Sequence, residues 1–150
     1  MFNQTIARFG YPETLIREYQ HWLVLLRPAQ VTAGSLVLAA KSDATAYGAL
    51  PAEAFFEQGR IVAEIEATLQ QLIAYDRINY LMLMMVDPHV HFHVIPRYSG
   101  SRDFAGIEIA DLGWPGPPEL KSAAALDAQA IASARSAIVS AWRSTETNSD

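Results

Sequence analysis

The first part of the chain contains short apolar runs separated by polar segments, the pattern of strands joined by loops. Leu15–Glu18 is a short candidate strand, and Trp22–Leu26 is a continuous apolar run of strand length. Residues 35–39 form a second such run, and residues 27–34 contain a proline and a glycine, which favour a loop. The pattern therefore predicts three strands, the last two of which form a hairpin with a long connection.

Residues 51–73 have the spacing of an amphipathic helix of about six turns. Pro51 stands at the start, where proline favours the first turn of a helix. Polar residues, Glu64 among them, fall on the side that is predicted to face solvent. The apolar stripe on the other side consists of Phe55, Val62, Ile65, Leu69, Leu72 and Ile73. A stripe of this length needs a sheet to pack against.

Two further apolar segments flank an Asp87-Pro88 corner. Residues 79–86 carry apolar side chains at both odd and even positions, which predicts a strand that is buried on both faces. Residues 89–96 predict the next strand, and the Asp-Pro pair favours a tight turn between the two. We therefore expect an antiparallel hairpin here.

The C-terminal third has a different character. Residues 99–118 are rich in glycine and proline and predict irregular structure, residues 123–143 predict a second helix, and residues 144–150 predict a polar, frayed tail. Strands and helices do not alternate along the chain. The order of elements thus predicts one α+β domain over residues 1–150, with an antiparallel sheet, one long helix packed on it and a C-terminal helix.

Composition narrows the range of functions. The chain has 150 residues, a formal net charge of −5 and no basic run, so it is a poor candidate for binding nucleic acid. The absence of cysteine excludes disulfides and thiolate metal sites. No apolar segment has the length of a signal peptide or a membrane span, so we expect a cytoplasmic protein that binds no membrane.

Three of the four histidines, His89, His91 and His93, alternate with apolar residues. On a strand, this spacing places all three imidazoles on one face and the apolar residues on the other. The apolar face explains how such a strand is held in the core. Packing does not explain the histidine face, because neighbouring imidazoles repel each other when protonated and lose solvation when buried.

Two kinds of chemistry fit such a face. Two histidines at this spacing can share a zinc ion, with Asp87 as a further ligand, although the three rings do not converge easily on one ion. Alternatively, a neutral imidazole is a competent nucleophile toward phosphorus near neutral pH, and its neighbours can donate hydrogen bonds to phosphoryl oxygens. The spacing alone leaves both open.

The segment that begins at His89 and ends at Arg97 reads His-Val-His-Phe-His-Val-Ile-Pro-Arg, and it resembles the signature of the histidine triad (HIT) family. Gly34-Ser35-Leu36-Val37 is similar to a hairpin strand of that family, and the resemblance covers roughly residues 13–98. It implies an antiparallel sheet with a helix against it, usually in a homodimer. It also implies nucleotide binding and cleavage at the α-phosphorus.

By this resemblance His91 is the nucleophile that becomes nucleotidylated, and His89 and His93 are the flanking members of the triad. We expect a backbone carbonyl to hold the second ring nitrogen of His91, which would fix its tautomer. The substrate would be of the dinucleoside polyphosphate or nucleoside phosphoramidate type. No protein-bound metal is implied, although Mg²⁺ can accompany a polyphosphate.

Four other residues are candidates for substrate binding. Arg97 could clamp a phosphate, and Arg27 lies in the loop that would border a nucleotide in the family fold. Ser35 stands where many family members have a fourth histidine. Asp87 lies in a loop that is shorter than usual and lacks the family's Gly-Gln pair. These departures keep two alternatives open, a nucleotide-binding regulatory protein with little turnover and a histidine-rich metal-binding module.

Overall fold

The computed structural model describes residues 2–145 and contains a five-stranded antiparallel sheet with the strand order β1-β2-β4-β6-β5. The predicted α+β class and antiparallel sheet are therefore confirmed. The strands are β1 (Leu15–Glu18), β2 (Trp22–Leu26), β3 (Ala29–Gln30), β4 (Leu36–Ala40), β5 (Arg77–Leu81), β6 (His91–Arg97), β7 (Ser101–Phe104), β8 (Ile107–Ala110) and β9 (Ala124–Ala125), and the helices are α1 (Gln4–Arg8), α2 (Ala52–Ile73) and α3 (Ala128–Ala141).

The long helix α2 covers one face of the sheet, as its apolar stripe predicts. Its buried residues Ile65 and Leu69 belong to the same core cluster as Trp22 and Val24 of β2. The indole of Trp22 also donates a hydrogen bond of 2.8 Å to the carbonyl oxygen of Ala54. All five residues of β2 are buried, because helices cover this strand on both sides.

The opposite face is covered by α1, a five-residue helix that the sequence pattern did not predict. Its residue Ile6 is fully buried in a second core cluster, with Leu23, Leu25, Val37 and Ala39 of the sheet. This cluster accounts for the continuous apolar runs in β2 and β4.

The hairpin that was predicted around Asp87-Pro88 is much shorter than expected. Pairing between β5 and β6 ends at Leu81↔His93, so residues 82–90 form a loop and the prediction of a strand over residues 79–86 is wrong in its second half. The reason lies at Val90, whose N–H donates to Ala44 and whose carbonyl accepts from Ala40. The chain before β6 therefore follows the end of β4 instead of β5.

The C-terminal region also differs from expectation. A hairpin, β7–β8, occupies part of the segment predicted to be irregular, and α3 begins at Ala128 rather than at residue 123 because Asp127 caps its first turn. None of the helices within residues 2–145 has the length and apolar character that spanning a membrane requires.

The predicted frayed tail is wrong at Thr145. The backbone N–H and the hydroxyl of Thr145 donate to Glu64, at 2.9 and 2.7 Å. Glu64 itself was predicted to face solvent but is fully buried, and it also accepts hydrogen bonds from Tyr19 (2.6 Å) and Trp142 (3.1 Å). The rest of the predicted tail, residues 146–150, lies outside the described residues.

Candidate active site

The sheet places two of the three clustered histidines side by side. His91 and His93 lie on β6 opposite Ala39 and Val37 of β4, on the face that α1 covers. Their ring centroids are 5.1 Å apart, and the rings are nearly perpendicular, at 82°. His89 precedes the strand, so the prediction that all three histidines lie on one strand is wrong for this residue.

His91 is held in a single tautomer by the backbone. Its Nδ1 lies 2.7 Å from the carbonyl oxygen of His89. Because a carbonyl oxygen can only accept, Nδ1 carries the proton of the neutral ring, and the lone pair of that tautomer is on Nε2. The contact is the one expected from the sequence. Nε2 is buried and has no hydrogen-bond partner within residues 2–145.

His93 has the opposite tautomer to His91. Nε of Arg27 donates to Nδ1 of His93 over 3.4 Å, so the proton of the neutral ring is on Nε2. Burial, the charge of Arg27 and His91 together lower the pKa of His93 to about 4, against an opposing effect of Asp87. His93 is therefore a neutral hydrogen-bond donor near neutral pH. Burial also lowers the pKa of Arg27.

Helix α1 and Phe9, the residue that caps its C-terminal end, contact all three histidines. Thr5 Oγ1 lies 2.9 Å from Nδ1 of His89, and the ring of Phe9 packs against both other histidines, with centroids 5.6 Å from each. Sequence reasoning missed these contacts. The one local signal is Asn3, whose side chain accepts from the N–H of Ile6 and caps the helix, and nothing in the sequence connects that helix to the triad.

Asp87 lies beside the site and is paired. Its Oδ1 accepts a hydrogen bond of 3.1 Å from Nη1 of Arg8, at the end of α1. Asp87 also acts on His93, since its charge raises the pKa of that imidazole. Of the four candidates for substrate binding, the structure thus brings Asp87 and Arg27 together with the histidines.

The structure places Arg97 elsewhere. It lies near the other end of β6, where its guanidinium donates to both carboxylate oxygens of Asp111 (2.7 and 3.2 Å), to Asn79 and to the carbonyl oxygen of Gly116. The side chain is almost completely buried. Its hydrogen bonds thus hold the segment around Asp111 and Gly116 to the sheet, and this geometry does not support the predicted phosphate clamp.

Ser35 is also engaged within the protein. Its hydroxyl donates to the carbonyl oxygen of Thr32 (2.8 Å) and accepts from the N–H of the same residue (3.1 Å), and the side chain is fully buried. Ser35 therefore closes the turn that leads into β4. This position does not support its predicted contact with substrate.

No group of three or more histidine, aspartate or glutamate side chains in residues 2–145 is arranged to hold a metal ion. The three histidines are instead tied individually to a hydroxyl, a carbonyl and a guanidinium.

Comparison with solved structures identifies the fold. A histidine triad protein from Bradyrhizobium japonicum superposes with a TM-score of 0.72 at 19% identity, covering 95% of this chain and 98% of that one. The chain has the histidine triad fold. A histidine triad (HIT) protein from Sinorhizobium meliloti gives 0.73 at 18% identity, with 93% and 95% covered. A hypothetical histidine triad nucleotide-binding protein from Sulfolobus tokodaii gives 0.66 at 15% identity, with 91% and 88% covered.

No protein-family model matches the chain, and no curated protein matches its sequence. The histidine triad fold is therefore established here by structural similarity together with the motif.

Proposed function

We propose that the protein binds a nucleotide at the histidine face and transfers the nucleotidyl group through His91. The observation that carries this proposal is the hydrogen bond between Nδ1 of His91 and the carbonyl oxygen of His89, because it leaves a lone pair on Nε2. The name of the Sulfolobus structure, which describes a nucleotide-binding protein of the same fold, supports nucleotide as the ligand.

The proposed reaction has two steps. Nε2 of His91 forms a bond to the α-phosphorus while the bond from phosphorus to the leaving group breaks, and the leaving group takes the electron pair. Water then attacks the phosphorus, the N–P bond breaks, and the electron pair returns to Nε2 while the water proton passes to solvent. Nε2–H of His93 can donate to a phosphoryl oxygen as negative charge develops there.

Dinucleoside polyphosphates and nucleoside phosphoramidates are the substrate types that we propose. The net charge of −5 does not oppose this, because the neutral His93 and the neighbouring Arg27 supply local donors. We propose that Mg²⁺, where it takes part, enters with the polyphosphate and is not bound by the protein alone.

A second candidate is a nucleotide-binding regulatory protein with little turnover. The observation that favours it is the complete burial of His91, whose ring is covered by Phe9. A substrate cannot reach the buried ring of His91 unless the side chains that cover it move. Incubation with a substrate distinguishes the two candidates, because the transferase predicts products and the regulatory protein predicts binding without products.

The experiment is incubation of the purified protein with a panel of dinucleoside polyphosphates and nucleoside phosphoramidates, followed by mass spectrometry. We expect mononucleotide products and, after rapid acid quenching, a nucleotidyl adduct on the peptide that contains His91. His91→Ala should lower turnover by several orders of magnitude, on the order of 10³-fold or more. His21→Ala is the matched control, because His21 lies outside the cluster. Binding without products or adduct would favour the regulatory candidate.

We also propose that the protein forms a homodimer through β5. Among residues 2–145, no strand pairs with the outer edge of β5, and the loop that follows exposes Leu83, Met85 and Val86. An open strand edge with exposed apolar neighbours is suited to pairing with a second copy. Light scattering of the wild type and of Met85→Glu tests this, with a shift toward monomer expected for the variant.

A further inference from the structure

The contacts of α1 close the site that the proposed function requires to be open. His91 is fully buried, and its Nε2 has no hydrogen-bond partner in the described chain. A buried polar atom without a partner is costly, and a catalytic role is one of the explanations for it. The ring of Phe9 lies on the same imidazole and on that of His93.

Two polar contacts fasten the helix over the histidines. Thr5 Oγ1 lies within hydrogen-bonding distance of His89, at 2.9 Å, and Arg8 pairs with Asp87 at 3.1 Å. The Arg8 side chain is 58% exposed and that of Asp87 20%, so solvent weakens the pair. A polyphosphate carries several negative charges, whereas Asp87 carries one, and it therefore competes well with this carboxylate for the guanidinium of Arg8.

The backbone of α1 is held at both ends. Near the start, Ile6 is buried in the core and Asn3 donates to the carbonyl oxygens of Ala40 and Ser42, at 3.3 and 3.0 Å. Beyond the end, Gly10 has a φ of +87°, a conformation that glycine adopts easily. The backbone is thus held on both sides of Thr5, and Thr14 Oγ1 donates to the carbonyl oxygen of Phe9 at 2.7 Å. The freedom to move therefore lies in the side chains of Arg8 and Phe9.

There is also open space beside the end of the helix. Arg8 borders an open cleft of about 650 Å³ between α1 and α3, which Ile131 and Arg135 of α3 also line. A swing of the Phe9 ring, with the backbone of α1 in place, would uncover His91 while Arg8 stays at the border of this cleft and the site.

We propose that Thr5, Arg8 and Phe9 form a cover that holds the histidine site closed at rest, and that an anionic substrate opens it by taking Arg8 from Asp87. The proposal rests on the proposed function for the identity of the substrate. It gives Arg8 a second role, as a ligand of the substrate phosphate once the cover has opened. The cover also explains how His91 can be buried in the resting protein and still act as the nucleophile during turnover.

The test measures access to His91 directly, with diethyl pyrocarbonate, which acylates unprotonated imidazole. Peptide mapping by mass spectrometry gives a separate rate for each histidine, with His21 as the internal standard. In the wild type we expect His91 to react about three- to fivefold more slowly than in Arg8→Ala, which is what an exposed ion pair can contribute. Gln4→Ala is the matched control, since Gln4 is exposed on α1 and makes none of the three cover contacts. It should leave the rate at the wild-type value.

A second experiment holds the cover closed with a covalent cross-link. Because the chain has no cysteine, the double variant Arg8→Cys, Asp87→Cys can be joined by a short bismaleimide without side reactions at other thiols. We expect the joined protein to resist acylation at His91 and to bind ATP at least about tenfold more weakly than the same variant before joining. Circular dichroism confirms that both forms are folded.

The outcomes separate this proposal from the proposed function. Rapid acylation of His91 in the wild type, or unchanged ATP binding after joining, would overturn the cover. If Arg8→Ala exposes His91 but no variant forms a nucleotidyl adduct, the cover stands and the proposed reaction is wrong. If the joined protein forms the adduct as fast as the wild type, the reaction stands and the cover is wrong.

Discussion

Arg27 and His93 are joined by a hydrogen bond in which the imidazole can only accept. Since a guanidinium has no acceptor, Nδ1 of His93 is unprotonated and Nε2 carries the ring proton. The positive charge of Arg27 then opposes a second proton on the same ring. One side chain thereby fixes both the charge and the tautomer of its neighbour.

The first prediction concerns this pair. In the wild type, His93 should titrate at about pH 4, because burial, Arg27 and His91 lower its pKa. Arg27→Gln should raise the midpoint toward 6.5, the usual value, without reaching it, since the burial remains. Nuclear magnetic resonance of the His93 ring measures this midpoint, and Arg77→Gln, which changes an exposed arginine, is the control. An unchanged midpoint in Arg27→Gln would contradict the assignment.

The same pKa affects stability. The unfolded chain takes up a proton at His93 below about pH 6.5, whereas the folded chain does so only near pH 4. As the pH falls from about 6.5 to about 4, protonation of His93 in the unfolded chain therefore lowers the free energy of unfolding. At pH values below this range the total loss is on the order of 3 kcal/mol. His93→Gln should flatten that part of the curve of stability against pH, as measured by urea unfolding.

The second prediction concerns Asp87. Asp87→Asn removes a negative charge from the site and releases Arg8. Binding of ATP in the presence of EDTA should therefore tighten by about three- to tenfold, which is about 1 kcal/mol. The pKa of His93 should fall further, because the charge of Asp87 raises it.

Calorimetry measures the change in affinity, and Asp103→Asn, at an exposed carboxylate elsewhere, serves as the control. Equal affinities for the wild type and Asp87→Asn would show that Asp87 does not influence the ligand.

The third prediction separates phosphate chemistry from metal binding. Treatment with a strong chelator should leave the melting temperature and the affinity for AMP unchanged, because each histidine of the site has its own partner in the protein. Elemental analysis of the purified protein completes the test. One tightly held zinc per chain, lost together with stability, would favour the metal-binding module instead.

The fourth prediction concerns Glu64. Burial alone would raise its pKa, but hydrogen bonds from Tyr19, Thr145 and Trp142 hold the pKa of Glu64 at about 2. Its stabilising effect is therefore present above about pH 4.5 and is lost as the pH falls toward 2. Glu64→Gln should lower the free energy of unfolding by about 2 kcal/mol at neutral pH, because charged hydrogen bonds are lost.

Glu53→Gln is the matched control on the same helix, since Glu53 is exposed. Urea unfolding at neutral pH compares the two variants with the wild type. A loss of stability in Glu53→Gln equal to that in Glu64→Gln would mean that the buried cluster has no special effect.

The sequence predicted the strands and the helix whose apolar pattern comes from packing in the main core. The run Trp22–Leu26 is strand β2, and the stripe that contains Ile65 lies against the sheet, because each depends on a local period that the core enforces. The alternation of His91 and His93 likewise follows directly from strand geometry.

What the sequence did not predict depends on contacts between distant residues. The hairpin shortens because Val90 bonds to Ala40 and Ala44, a preference that no local pattern encodes. Helix α1 has five residues, too few to show a period, and it exists because Ile6 fills a gap on the sheet. Glu64 looked like a surface residue because its partners lie 45 and 78 positions away, at Tyr19 and Trp142.

The hydrogen bonds of Glu64 also define how much of the chain must be kept for the domain to fold. The motif and its resemblance end near residue 98, but a shortened chain that ended before Trp142 would lack the donors of Trp142 and Thr145 and leave a carboxylate in the core. We therefore expect a stably folded chain to need residues through Thr145, well beyond the segment that identifies the fold. Truncations for crystallisation or spectroscopy should be made only after that residue.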